Sequence, residues 1–259
     1  MPIEPLVLSA TLAPDAPAAI GHVTVRIGDD LIPISVTVPN DPTGFEPLLP
    51  IFQGFLAVMS ARAVANVEAD GKEISCRAGC GACCRQAVPI APSEARALAA
   101  HVAGMPRPRQ AEVRSRFAAA RAALDDANVD HSAAAFSETN MEDRIALGMA
   151  YFRAGVACPF LEDESCSIHP VRPLACREYL VTTPAIACRT PTMESVKTVK
   201  LGGSLSQALI AAEAVLHGNG RLLLVDALEW ADANPAPAPV HGGPTMVKAV
   251  FDMLARLSA

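Results

Sequence analysis

The chain has 259 residues, of which 51% are hydrophobic and 19% are charged, and its formal net charge is −6. This apolar content is enough for a sizeable core and excludes a wholly disordered chain, and the acidic balance argues against binding nucleic acid through overall charge. Aromatic residues make up only 4% of the chain, but eight residues are cysteine. The cysteines are therefore the first candidates for a function.

The beginning of the chain has neither the basic segment nor the long apolar run of a secretory signal. The most apolar stretch, 48–67, is interrupted by polar residues, so we expect no membrane-spanning helix. We expect a cytosolic protein, and in the cytosol thiols stay reduced and structural disulfides are rare. The cysteines of such a chain are metal ligands, redox catalysts or buried core residues.

Hydrophobic periodicity predicts a mainly α fold of the α+β class, with helices around a cysteine-rich core, an N-terminal β-hairpin and a few short strands. The hairpin is predicted over 21–38, and Pro33 predicts an edge strand. Helices are predicted at 45–68, 92–103, 107–128, 138–155, 204–217 and 246–257. Short strands are predicted at 158–161, 166–168, 196–201 and 222–225. Three regions, packed as one globular unit, are predicted: a hairpin and helix at 1–70, a metal-binding domain at 71–190 and a helical region at 191–259.

Four cysteines, Cys76, Cys80, Cys83 and Cys84, form a first group within nine positions. Cys80 and Cys83 have the CxxC spacing that lets two thiolates bind one metal ion, and the glycines on either side of Cys80 allow positive φ and close backbone approach. The adjacent Cys83 and Cys84 point in different directions on a helix or a strand. Either one of them binds a metal while the other packs behind it, or both serve a larger or polynuclear centre.

The second group comprises Cys158, Cys166, Cys176 and Cys188. Two short strands around the acidic turn 162–164 would place Cys158 beside Cys166, and a helix that begins near Pro173 would carry Cys176. Scattered cysteines usually only pack in a core, but all eight fall within 76–188, which favours metal binding. A thioredoxin-like redox role for the CxxC pair is less well supported, because no βαβ pattern surrounds it.

The two groups together resemble the bacterial CxxCxxCC cysteine-cluster family, which is described as zinc- or iron-chelating. The resemblance covers roughly 72–190, and flagellin lysine-N-methylases look like distant relatives. It implies a bound metal but no single activity. The downstream blocks that carry the resemblance are Cys158-Pro159-Phe160-Leu161, Cys166-Ser167-Ile168-His169 and Arg172-Pro173-Leu174-Ala175-Cys176-Arg177.

All eight cysteines are candidate ligands for an iron–sulfur cluster or for zinc. The irregular spacing of the first group is unlike a pair of zinc knuckles and slightly favours iron–sulfur, whose larger radius accepts distant ligands. The leading ligands are Cys80, Cys83, Cys158 and Cys176. Cys188 ranks last, because it lies beyond the matching block.

Three further residues stand near the cysteines. Arg172 and Arg177 are candidates to bind a carboxylate, a phosphate or the sulfurs of a cofactor, or else to form ion pairs with the 162–164 turn. His169, where the family usually has Tyr, is either a ligand or a local hydrogen-bonding residue. A stripe of Arg107, Arg114 and Arg121 predicts a solvated helix face, or else a surface for an acidic partner or nucleic acid.

Three functions fit these observations. The first is a cytosolic metal-binding protein whose cluster is mainly structural. The second is a metal-dependent modification enzyme, methyltransferase-like by the resemblance alone, and the third is a metal-handling or thiol-redox sensor. Catalytic residues are unknown. The metal ion is the expected partner and a protein partner or substrate is left open, whereas neither a membrane nor nucleic acid is expected.

Overall fold

The structure is a computed structural model that describes residues 4–27, 30–132, 141–189, 195–218 and 220–258. It confirms a mainly α fold of the α+β class with short strands. The helices in the described residues are α1 Leu49–Ala69, α2 Pro92–Ala103, α3 Arg107–Asp126, α4 Met141–Arg153, α5 Leu174–Glu178, α6 Ala185–Arg189, α7 Leu205–His217, α8 Ala227–Ala233 and α9 Gly243–Leu257. The start of the helix predicted from residue 138, and Gly28 and Asp29 of the hairpin turn, lie outside the described residues.

The N-terminal sheet contains β1 Leu6–Ser9, β2 Ala18–Ile27 and β3 Asp30–Pro39 in the order β1-β3-β2. The predicted hairpin of β2 and β3 is confirmed, but the prediction of an edge strand from Pro33 is wrong, because β3 is central. The parallel partners of β1 begin at Ile34, so Pro33 is paired only on its β2 side. The missing N–H of Pro33 therefore costs no hydrogen bond to β1.

The main core joins the two ends of the chain. One face of β3 is buried in this core, where α9 contacts β2 and β3, α1 contacts β1, and α7 packs on α9. The ring of Phe251 in α9 meets Phe52 and Phe55 of α1 edge-on, with centroids 6.4 and 5.2 Å apart. Leu174 of α5 is fully buried in the same core, so the helix that carries Cys176 is anchored to it.

The segment 46–69, which contains α1, is long and apolar enough to cross a bilayer by length and hydropathy alone. Core helices of globular proteins pass the same test. In α1, Ile51, Phe52, Phe55 and Leu56 have no exposed surface and belong to the main core. Packing inside the protein therefore accounts for the apolar character of this helix.

A second core lies between α2, α3 and α8. It includes β4 Pro89–Ile90, which pairs with β7 Leu222–Leu223. The strand predicted at 222–225 is therefore shorter than expected, because a 3₁₀ turn takes over at Leu224. The strand predicted at 196–201 is reduced to one bridge, between Val181 and Thr198.

The arginine stripe on α3 faces α8 in part. Arg114 Nη1 lies 2.6 Å from Asp232 Oδ2, and Arg121 pairs with Glu229. Two of the three arginines therefore contribute to packing between helices.

Two further short strands, β5 Leu161–Glu162 and β6 Ser165–Cys166, enclose the acidic turn. Strand pairing does not place Cys158 beside Cys166, contrary to the prediction, because the register pairs Leu161 with Cys166. Cys158 comes before the strand, and its carbonyl accepts the N–H of Leu161 at 2.8 Å. A turn thus occupies the positions that were expected to begin the strand.

Candidate metal centre

The first cysteine group lies in the connection between α1 and β4, which is built from turns. The Cys80 N–H donates to the Arg77 carbonyl at 3.1 Å, and the Cys84 N–H donates to the Gly81 carbonyl at 3.0 Å. Gly79 has φ of +79°, as expected for a glycine-dependent turn. A Cβ on Gly81 would lie 2.6 Å from Leu161 Cδ1 and 3.0 Å from the Glu164 carbonyl oxygen, so a larger residue would crowd the β5–β6 hairpin here.

Backbone and ionic contacts join this connection to the second cysteine group. The Cys158 N–H donates to the Cys84 carbonyl at 2.7 Å, which places these two residues side by side. Arg85 donates to the Gly81 carbonyl and, from Nη2, to Glu164 Oε1 at 2.6 Å. The turns of the first group are therefore fixed against the hairpin that carries Cys166.

A buried carboxylate positions the helix of Cys176. Glu94 Oε1 accepts the N–H of Leu174, the first residue of α5, at 2.7 Å, and Oε2 accepts the N–H of Ala91 at 3.0 Å. Desolvation raises the pKa of Glu94 to about 7. One side chain thus caps the starts of α2 and α5 and connects them.

Two cavities adjoin the cysteines, with volumes of about 630 Å³ and about 220 Å³. Every predicted thiol ligand lines at least one of them, and all eight thiols are free. The cysteines of the larger cavity are Cys80, Cys83, Cys84, Cys158, Cys166 and Cys176. The cysteines of the smaller cavity are Cys76, Cys80, Cys83, Cys176 and Cys188.

The thiols differ in acidity. A hydrogen bond between the side chains of Cys83 and Cys84 lowers the pKa of Cys83 to about 7 and raises that of Cys84. Burial raises the pKa of Cys158 to about 12 and also raises the pKa of Cys176. Since metals bind thiolates, binding here releases protons and strengthens as the pH rises.

Residues 75–198 match a family model described as "CxxCxxCC: Putative zinc- or iron-chelating domain". This segment is a CxxCxxCC domain. The match confirms the family resemblance found in the motifs, and it includes Cys188, which lies beyond the downstream motif blocks. Searches of curated proteins and of solved structures found no match to the chain. The family description supports a metal-binding role for the segment that carries all eight cysteines.

The donor set of the CxxCxxCC domain fits zinc or iron, because both are held by thiolates in proteins. Within the described residues, no three His, Cys, Asp or Glu side chains converge closely enough to hold a metal ion as they stand. The thiols nevertheless face common spaces. Binding therefore has to draw sulfurs together across the cavities.

Arg172 lines both cavities of the CxxCxxCC domain, and its Nε is buried with no hydrogen-bond partner among the described residues. His169 also lines both cavities, and the charge of Arg172 lowers its pKa. Arg177 lines neither cavity and instead donates from Nε to the Arg172 carbonyl at 2.9 Å. Cofactor binding stays a prediction for both arginines, and the placement favours Arg172.

Two of the three acidic residues of the 162–164 turn, the alternative partners proposed for Arg172 and Arg177, pair with other arginines. Glu162 accepts hydrogen bonds from Arg109 and Arg116, and Glu164 pairs with Arg85. These carboxylates anchor the acidic turn to α3 and to the first cysteine group.

The cavity wall contains polar residues that the sequence did not single out. Glu178 Oε1 accepts the Ser206 N–H at 2.8 Å, and Oε2 accepts the Ser204 hydroxyl at 2.9 Å, so the end of α5 caps the start of α7 beside the larger cavity. The Tyr179 carbonyl accepts the Cys76 thiol at 3.9 Å. No local motif marks these residues, since only chain folding brings α7 to the CxxCxxCC domain.

Proposed function

We propose that the CxxCxxCC domain binds zinc or iron, the iron as an iron–sulfur cluster, and that the metal mainly folds and stabilises the centre of the molecule. The observation that carries the proposal is that eight free thiols, from two groups far apart in the sequence, line two adjoining cavities. A metal bridging the groups closes the 85–157 segment. Structural zinc releases roughly 10–16 kcal/mol on binding, far more than closing such a loop costs.

Iron–sulfur is the preferred form of the centre. The irregular spacing of the first group and the wide distribution of donor segments support it, since a cluster accepts ligands from distant parts of a chain. When bound, the metal would be held by the cysteine thiolates, and the chain's own contribution is to fix those donors through Gly81, Arg85 and Glu94.

Metal analysis of the anaerobically purified full chain tests the proposal. Zinc, iron and acid-labile sulfide are counted per chain, and the visible absorption of thiolate-bound iron is recorded. We expect stoichiometric metal, part of it lost in Cys83→Ser and all of it retained in the control His101→Ala, whose side chain is exposed at the end of α2. A metal-free wild-type chain would refute the proposal, and a colourless chain with stoichiometric zinc would refute the iron form alone.

We also propose that the protein works in the cytosol. All eight cysteines are free, and a reducing compartment keeps them available as ligands.

A second candidate function is a metal-dependent modification enzyme. The larger cavity, at about 630 Å³, is within the ~300–1,000 Å³ typical of small-molecule sites, and it extends from the thiols to polar groups at the start of α7. An enzyme requires an open coordination position, whereas a structural centre is closed by four protein ligands. Cobalt-substituted protein separates these functions. A spectrum that changes on adding imidazole favours the enzyme, and an unchanged spectrum favours the structural centre.

A further inference from the structure

The eight thiols do not face a single space. Each cavity has cysteines of its own, and a third set lies where the two cavities adjoin. The larger cavity alone is lined by Cys84, Cys158 and Cys166. The smaller cavity alone is lined by Cys76 and Cys188. Both cavities are lined by Cys80, Cys83 and Cys176.

The apolar surroundings divide the cysteines in the same way. Cys158 and Cys166 pack against the second core. A separate small cluster contains Cys188 and has Cys76 and Cys80 packed against it. Two different apolar environments therefore hold the two sets of thiols.

Cys176 lines both cavities, so its place follows from the other thiols. Three cysteines, Cys84, Cys158 and Cys166, line the larger cavity alone, and a four-thiolate centre there needs one more donor. Cys176 supplies that donor, because Cys80 packs in the small cluster with Cys188 and Cys83 has the CxxC spacing with Cys80.

The position of Cys84 resolves the role of the adjacent pair. The backbone hydrogen bond from Cys158 to the Cys84 carbonyl, 2.7 Å long, places Cys84 with the larger cavity. Cys83 has the CxxC spacing with Cys80, which packs in the small cluster with Cys188. The side chains of Cys83 and Cys84 are hydrogen-bonded to each other, so a division of this pair between two centres places the centres side by side.

We propose that the domain holds two adjoining four-thiolate metal centres, an inference that rests on the metal-binding function proposed above. The first is built from Cys84, Cys158, Cys166 and Cys176. The second is built from Cys76, Cys80, Cys83 and Cys188. All eight cysteines are then metal ligands, including Cys188, which the sequence ranked last.

The charge between the two centres supports this division. Four thiolates around a divalent zinc leave a net negative charge, so two such centres repel each other. Arg172 lines both cavities, and within the part of the chain that the structure describes its buried Nε has no hydrogen-bond partner. Its guanidinium lies where it offsets the charge of both centres.

Zinc titration into the reduced, metal-free full chain tests the inference. We expect two zinc ions per wild-type chain and one in each of Cys188→Ser and Cys158→Ser. A wild-type chain that binds a single zinc, unaffected by Cys188→Ser, would overturn the two-centre inference and leave the metal-binding function standing. A wild-type chain that binds neither zinc nor iron would overturn both. If Cys158→Ser does not fold, Cys166→Ser takes its place.

Thiol protection identifies the ligands in each variant. The Cys188→Ser chain with one zinc is alkylated and its modified peptides are mapped by mass spectrometry. We expect protection at the four residues of the first centre and modification at Cys76, Cys80 and Cys83. Joint protection of Cys80, Cys83, Cys158 and Cys176 would overturn the proposed division.

Discussion

The carboxyl of Glu213 in α7 is buried away from the cysteines. It accepts the N–H of Ser93 at 3.1 Å and the Ser93 hydroxyl, and Arg96 Nη2 lies 3.8 Å from Oε2. The negative charge of Glu46 also acts on Glu213 and raises its pKa. Burial outweighs these contacts and raises the pKa of Glu213 to about 8. The buried carboxyl of Glu213 thus contributes to a dependence of protein stability on pH.

We expect the free energy of unfolding to contain a contribution from Glu213 that is present below about pH 4.5 and lost by about pH 8. The sign follows because the folded state, with the higher pKa, binds more protons in this range than the unfolded state. Glu213→Gln cannot ionise and should be more stable than wild type by about 1–3 kcal/mol at pH 8, with little difference at pH 4.5. Urea unfolding across this range measures the effect, with the exposed Glu68→Gln as control. An equal pH slope in wild type and Glu213→Gln would contradict it.

Single shared side chains connect the elements around the metal centre. Glu94 caps both α2 and α5, and Glu178 connects the end of α5 to the start of α7. The helix α5 is only five residues long, so propensity alone does not keep it in place. The position of Cys176 therefore depends on these capping contacts and on the burial of Leu174.

Glu94→Ala should destabilise the protein by about 2–4 kcal/mol and lower its metal content. The change leaves the buried N–H groups of Ala91 and Leu174 without their acceptor, and each such loss costs about 1–3 kcal/mol. Urea unfolding and metal counting measure the two effects, and Glu68→Ala on the exposed end of α1 is the matched control. Full metal content in a destabilised Glu94→Ala would show that the cap does not position Cys176.

The whole molecule has a main core built mostly from the two ends of the chain, outside the family segment, and a centre whose cysteine-bearing parts are mostly turns and short elements. The main core and the cysteine-bearing centre differ in the interactions that stabilise them. Apolar burial accounts for the main core, while the cysteine segments have few buried apolar side chains of their own.

Metal removal should therefore affect the centre before the ends. After chelation, limited proteolysis is expected to cut first within 75–88 and 158–189, while segments of the main core, such as α1 and α9, stay protected. Peptide mapping with and without chelator measures this order. Simultaneous loss of protection in α1 would show that the two parts unfold as one unit.

Much of the fold follows from local patterns. Helix periodicity located α1, α2 and α7, and glycine after His217 predicted the end of α7, where Gly218 has φ of 71°. Local patterns did not predict which strands pair when a third strand joins a hairpin. The prediction that β3 is an edge strand was wrong, because β1 pairs with β3 in parallel and no pattern within β3 indicates that partner.

The sequence by itself determined the kind of chemistry in this protein: the spacing of the cysteines and the motifs around them identified a metal-chelating segment. Only the tertiary structure decided which thiols share a space. Cys84 lies beside Cys158 because a backbone hydrogen bond joins two remote segments, and Cys188 packs with Cys76 because both enter one apolar cluster. Ligand types are a property of residues, whereas the grouping of ligands depends on contacts between segments that no local pattern encodes.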